Sequence, residues 1–122
     1  MKLHLNTTEG LNTISAHGQG FVMINQTRHA TAVIVMPDKL VAPWQLADAN
    51  APCLADFAAL LELNPELVVF GSGAVFRFPD ARIMAAFSKV RIGFDVMDTP
   101  AACRTYNVLM SEGRNVAAAL LI

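Results

Sequence analysis

Apolar residues come in short strand-length runs in the first half of the chain and in runs of alternating character in the second. Phe21–Ile24 is an apolar run behind Gly18 and Gly20, and it predicts a short strand closed by a turn at Asn25, Gln26 and Thr27. Thr31–Met36 reads Thr-Ala-Val-Ile-Val-Met and is nearly continuous in apolar character, as expected of a strand covered on both faces. Pro37 and Asp38 end it, and Pro43-Trp44 marks a further break. Residues 1–20 give a weaker pattern.

Helical periodicity begins after residue 50. Leu54, Phe57, Leu60 and Leu61 recur at helical spacing, which predicts a helix over Pro52–Leu63 with Pro52 in its first turn, stopped by Asn64-Pro65. Leu67–Phe70 reads as a buried strand broken by Gly71-Ser72-Gly73. Pro79–Lys89 reads as a helix that turns Ile83, Met84 and Phe87 inward. Ile92–Met97 predicts a strand with Ile92, Phe94 and Val96 on one face and Gly93, Asp95 and Met97 on the other. Asp98 and Thr99, with Pro100 behind them, suit a helix start, and Gly113 suits the stop after Glu112. Val116–Ile122 closes the chain as an apolar strand. Strand–helix alternation implies an α/β layered fold with a parallel or mixed sheet, to which the first half adds a β-hairpin layer.

Composition narrows the class. The chain has 122 residues, the size of a single domain spanning residues 1–122. Hydrophobic residues make up 54 % and charged residues 16 %, so an uncovered apolar patch is expected to meet a protein partner or a second copy. The net charge of −1 comes without any block of like charge, which speaks against nucleic acid as a partner. No run reaches the ~20 apolar residues of a membrane span. Met1–Asn6 resembles neither a signal peptide nor an Arg-rich presequence. Cys53 and Cys103 form neither a disulfide framework nor a zinc set, and the expected compartment is the cytoplasm.

No constellation names a reaction. Gly71-Ser72-Gly73 follows a strand but lacks the spacing of a dinucleotide loop, so the glycines are read as permitting tight backbone at a strand end. His4, His17 and His29 are scattered without ligand spacing, and no Gly-x-Ser-x-Gly elbow occurs. Neither a metal nor a cofactor is expected. Cys103 falls on the apolar face of the last helix with Ala102, Tyr106, Leu109 and Met110, and is read as a buried, inert thiol, the alternative being a thiolate helped by the helix N-terminus and Arg104. Cys53 is read the same way. Arg104, Asn107 and Ser111 form a stripe beside that face, solvated unless it binds something. Asp95, if inward, needs a partner such as Arg104 or Arg77. Trp44, at a loop, could be half-exposed and anchor a partner.

The run Met97-Asp98-Thr99-Pro100-Ala101-Ala102-Cys103-Arg104-Thr105-Tyr106-Asn107, continued by Glu112-Gly113-Arg114 and Val116–Leu120, resembles the signature of the Mth938-like family. This family of small domains of unknown function includes a mitochondrial NADH dehydrogenase assembly factor and an adipogenesis-associated relative. Gly20-Phe21, Pro43-Trp44 and the Gly-Ser-Gly turn match in order, so that the likeness covers about Ile14 to Ile122. Ser72 stands where the family usually has threonine. The resemblance implies a three-layer fold with a central mixed sheet of about five strands. It also implies no established enzymatic activity. The expected function is a non-enzymatic binding or assembly-factor domain, linked to biogenesis of a respiratory complex or membrane protein. The alternative is a small-ligand binder or enzyme. Either would use residues among Gly71, Ser72, Gly73, Asp98, Thr99, Arg104, Asn107 and Trp44, with the Gly-Ser-Gly turn meeting the start of the last helix.

Overall fold

The computed structural model describes residues 10–122. His4, in the reading above, lies outside them. Three strands, β1 (Ile14–Gly18), β2 (Phe21–Ile24) and β3 (Thr27–His29), form an antiparallel sheet in that order. A second sheet of five strands has the order β5-β4-β8-β6-β7. Its members are β4 (Val33–Met36), β5 (Lys39–Val41), β6 (Leu67–Gly71), β7 (Gly93–Met97) and β8 (Val116–Leu120). β6 runs parallel to both β7 and β8, while β4 is antiparallel to β8. The helices are α1 (Ala58–Leu63), preceded by a 3₁₀ turn over Leu54–Phe57, α2 (Ala81–Lys89) and α3 (Thr99–Ser111). The expected mixed sheet of five strands and the added N-terminal hairpin layer are both present.

Period-two alternation sorts the central strands into two cores. Val33, Val35, Val69, Val116, Ala118 and Leu120 face α3 and the three-stranded sheet, which contribute Ile14, Val22, Ile24, Cys103 and Tyr106. Ile34, Met36, Val68, Phe70, Ala117 and Ala119 face the other way, against Trp44, Phe57, Leu60, Ile83 and Phe87. Both faces are covered, which is why these strands read as unbroken apolar runs. Phe57 is fully buried, and its ring lies within 6.0 Å of those of Trp44, Phe70, Phe87 and Phe94. Burying one such side chain contributes about 1.5–3 kcal/mol.

Several sequence expectations are corrected. The strand expected from Thr31 begins at Val33; it ends before Pro37-Asp38 as expected, and these two residues turn the chain into β5. The turn after β2 is confined to Asn25-Gln26, because Asn25 takes a positive φ of 57° and lets Thr27 pair back on Ile24. The helix expected over Pro52–Leu63 splits into the 3₁₀ turn and α1, and Leu54, assigned to its inner face, is 42 % exposed. Cys53 is exposed, not buried, because it precedes the 3₁₀ turn instead of lying inside a helix. Asp95 is exposed on the edge strand β7 and needs no buried partner.

Candidate functional site

Three parallel strands end together at one edge of the central sheet, and there Gly71-Ser72-Gly73 meets the start of α3. Parallel pairing sets Gly71 beside both Met97 and Leu120. A Cβ at Gly71 would come within 2.8 Å of Thr99 Oγ1 and 3.0 Å of Thr99 Cα, so glycine permits the helix to close on the strand. Gly73 has a φ of +101°, which turns the chain out of the sheet.

Hydrogen bonds stitch this junction shut. The Thr99 hydroxyl donates to the Leu121 carbonyl at 2.6 Å and accepts from the Gly73 N–H at 2.8 Å. The Thr99 N–H donates to the Gly73 carbonyl, the Ser72 N–H to the Met97 carbonyl, and the Leu121 N–H to the Gly71 carbonyl. Asp98 caps α3, accepting from the Ala101 N–H at 2.9 Å. Ser72 is buried, and its hydroxyl donates to the Val75 carbonyl at 2.8 Å and accepts from the Arg77 N–H at 3.0 Å.

The structure thus brings Gly71, Ser72, Gly73, Asp98 and Thr99 together and leaves three nominated residues elsewhere. Arg104 is exposed farther along α3 and does not pair with Asp98. Asn107 is not a solvated member of a stripe. Its side-chain oxygen accepts from the Ile14 N–H at 3.0 Å and its amide donates to the Ile14 carbonyl at 2.8 Å. Trp44 is 5 % exposed in the opposite core, with its indole N–H donating to the Asp56 carbonyl, and so it is not the expected half-exposed anchor. Its ring is buried by edge-on packing against Phe57.

Clefts flank the junction, and Leu121 lines two of similar volume. One, of about 370 Å³, lies between the β1–β2 turn (Gly18, Gln19, Gly20) and Gly73, Thr99 and Pro100. The other, of about 360 Å³, lies on the opposite side and is lined by Pro52, Cys53, Phe70, Ser72, Arg77 and Phe78. At its rim Asp80 caps α2 and is held by Arg82 at 2.8 Å, which lowers its carboxyl to about 2. Cys103 is buried behind the junction, and loss of solvation pushes its thiol up to about 11 despite the nearby Arg104 charge. Among the described residues no group of three or more histidine, cysteine, aspartate or glutamate side chains could hold a metal.

The sequence reading missed the segment that leaves the junction. Val75, Phe76 and Phe78 are 63 %, 49 % and 67 % exposed, with Arg77 exposed between the two phenylalanines. The two rings meet edge to face at 4.9 Å. The available signal was an apolar run, Ala74-Val75-Phe76, then Arg77-Phe78-Pro79, that fits neither a strand nor a helix beside turn residues.

Comparison with known proteins agrees with this architecture. A family model described as "Protein of unknown function (DUF498/DUF598)" matches residues 14–121. A zebrafish (Danio rerio) protein named NADH dehydrogenase [ubiquinone] 1 alpha subcomplex assembly factor 3 is 44 % identical over 106 residues, covering 84 % of this chain and 59 % of its own length. A Xanthomonas campestris protein solved by NMR superposes with a TM-score of 0.83 at 34 % identity, covering 100 % of this chain and 92 % of that one. A Bordetella pertussis protein described as an Mth938-like domain superposes with a TM-score of 0.71 at 29 % identity, covering 99 % and 92 %. The chain spans 50–59 % of the length of the first curated relatives it matches.

Proposed function

This chain belongs to the DUF498/DUF598 family of proteins of unknown function, and we propose that it is a non-enzymatic binding domain of assembly-factor type. It docks other proteins at the carboxyl edge of its central sheet. The observation that carries this reading is the exposure of Val75, Phe76 and Phe78 on a segment whose backbone is held by the buried Ser72. Large apolar side chains held rigidly in water lose little entropy when a partner covers them. Gly71, Ser72, Gly73, Asp98 and Thr99 serve this face by holding it in place. Relatives named as assembly factors of NADH dehydrogenase support a membrane respiratory complex as the assembly client. No helix among the described residues is long and apolar enough to cross a membrane. We propose that the chain works in the cytoplasm, and the free, exposed Cys53 supports a reducing compartment.

Deletion of the chain from its own cells tests the reading. Assembled NADH dehydrogenase, measured by activity staining of native gels, is expected to fall. The wild-type chain should restore it and a Phe76→Ser, Phe78→Ser double variant should not. Normal enzyme levels in the deletion strain would overturn the proposal. The cleft of about 370 Å³ between Gly73, Thr99 and the β1–β2 turn favours a second reading, since small-ligand sites are of that size. Native mass spectrometry of the chain purified from its own cells separates the two, because a ligand site retains one defined bound mass and a docking face does not.

A further inference from the structure

We infer that the face formed by Phe76, Arg77 and Phe78, with the cleft beside it, receives a segment of a partner protein in which a carboxylate lies between large apolar side chains. The inference rests on the docking reading above and adds the chemistry of the occupant.

The argument is one of charge complementarity on an apolar face. Arg77 is exposed between two exposed phenylalanines. Among the described residues its guanidinium has no carboxylate partner. The carboxylate that lines the same cleft as Arg77 is already engaged. Asp80 binds Arg82 through both oxygens, at 3.2 and 2.8 Å. Among the described residues the face therefore presents a positive charge without a counter-charge, next in sequence to the exposed rings of Phe76 and Phe78.

A partner that covers Phe76 and Phe78 must also strip water from Arg77. A neutral or basic segment would leave that guanidinium desolvated and unpaired, which is strongly unfavourable. A carboxylate forms a charge-assisted, bidentate bond to it, and this is the geometry that a guanidinium favours. Its apolar neighbours find Phe70, Pro52 and Leu121 in the cleft of about 360 Å³. The Arg77 N–H donates to the buried Ser72 hydroxyl, so the backbone at Arg77 is held in place before the partner arrives.

A random peptide library displayed on phage, panned against the full chain, tests this. The wild-type chain should enrich peptides with Asp or Glu between large apolar residues, and Arg77→Glu should enrich Lys or Arg at that place. A synthetic copy of the selected peptide should bind Arg77→Gln and Phe78→Ser about tenfold or more weakly. It should bind Val108→Ser, altered on an exposed apolar residue of α3, unchanged. Enriched peptides that lack a carboxylate, or that bind Arg77→Gln as well as wild type, overturn the inference while the docking reading stands. If no peptide is enriched and the Phe76→Ser, Phe78→Ser variant also restores NADH dehydrogenase assembly, both readings fall. Self-association that Phe78→Ser abolishes in sedimentation would make the occupant a second copy and overturn the inference too.

Discussion

Two neighbouring stretches of chain make opposite use of their side chains. At the junction of Gly71-Ser72-Gly73 with α3, each polar group named above is spent on another part of the same molecule, and Thr99 alone ties together Gly73 and Leu121. In the next residues, Val75 to Phe78, large apolar groups are left facing water. Polar residues at a strand edge attract attention as a site because their chemistry is versatile. Here those groups are engaged in hydrogen bonds within the chain, and the segment that follows, held by Ser72 at Val75 and Arg77, carries the exposed rings of the proposed docking face.

Thiol chemistry probes this division with the largest expected contrast. Cys103 sits behind the junction on α3, whereas Cys53 lines the cleft beside the exposed run. Alkylation of native protein near pH 7 should modify Cys53 at the rate of an accessible thiol and Cys103 at least about a thousandfold more slowly, since opening of the core must come first. Comparable rates at both would break the contrast. Burial raises the Cys103 thiol from 9.0 to about 11, so the folded chain holds this proton more tightly than the unfolded chain. Its stabilising contribution is full below about pH 9 and is lost as pH rises toward 11.

Thr99→Val keeps the shape of the junction and removes its hydroxyl. It leaves the Gly73 N–H without its acceptor and the Leu121 carbonyl without this donor, so it should destabilise the chain by about 2–4 kcal/mol in a denaturant titration. A cost below about 1 kcal/mol would show that the junction is not the fixed point described. Ser72→Ala should cost less, about 1–2 kcal/mol, because the groups it frees at Val75 and Arg77 lie in an exposed segment where water can reach them. Its larger effect should fall on binding, through loosening of the Phe76–Phe78 segment. The smallest effect belongs to Phe76→Ser combined with Phe78→Ser, which should change stability by no more than about 0.5 kcal/mol per residue. A drop in melting temperature matching that of Thr99→Val would mean that these rings belong to the fold and not to a face.

The central sheet was legible because both of its faces are covered. Thr31–Met36, Leu67–Phe70 and Val116–Ile122 read as apolar runs for that reason, and Asp98 with Pro100 marked the start of α3. The parallel pairing of β6 with β7 followed from the helix between them, and with it the meeting of Ser72, Asp98 and Thr99. What stayed hidden depends on contacts distant in sequence. Ile14–Gly18 is a strand because it pairs with β2 and is clasped by Asn107, 93 residues away. Trp44 is the loop residue the sequence suggested, but its burial depends on cover from Phe57, further along the chain. Phe76 and Phe78 would ordinarily be counted as core, yet they are exposed on a segment that Ser72 holds at Val75 and Arg77.

The clasp on Ile14 has a consequence for solubility. β1 is an edge strand of the three-stranded sheet, and the open side of such a strand is a template on which a foreign strand can grow. The Asn107 carboxamide fills that vacancy at Ile14, donating and accepting as a peptide group would. One helical side chain thus imitates a single rung of a neighbouring strand. The imitation stops after that rung, so the ladder is terminated and β1 is closed to cross-β growth at its first residue.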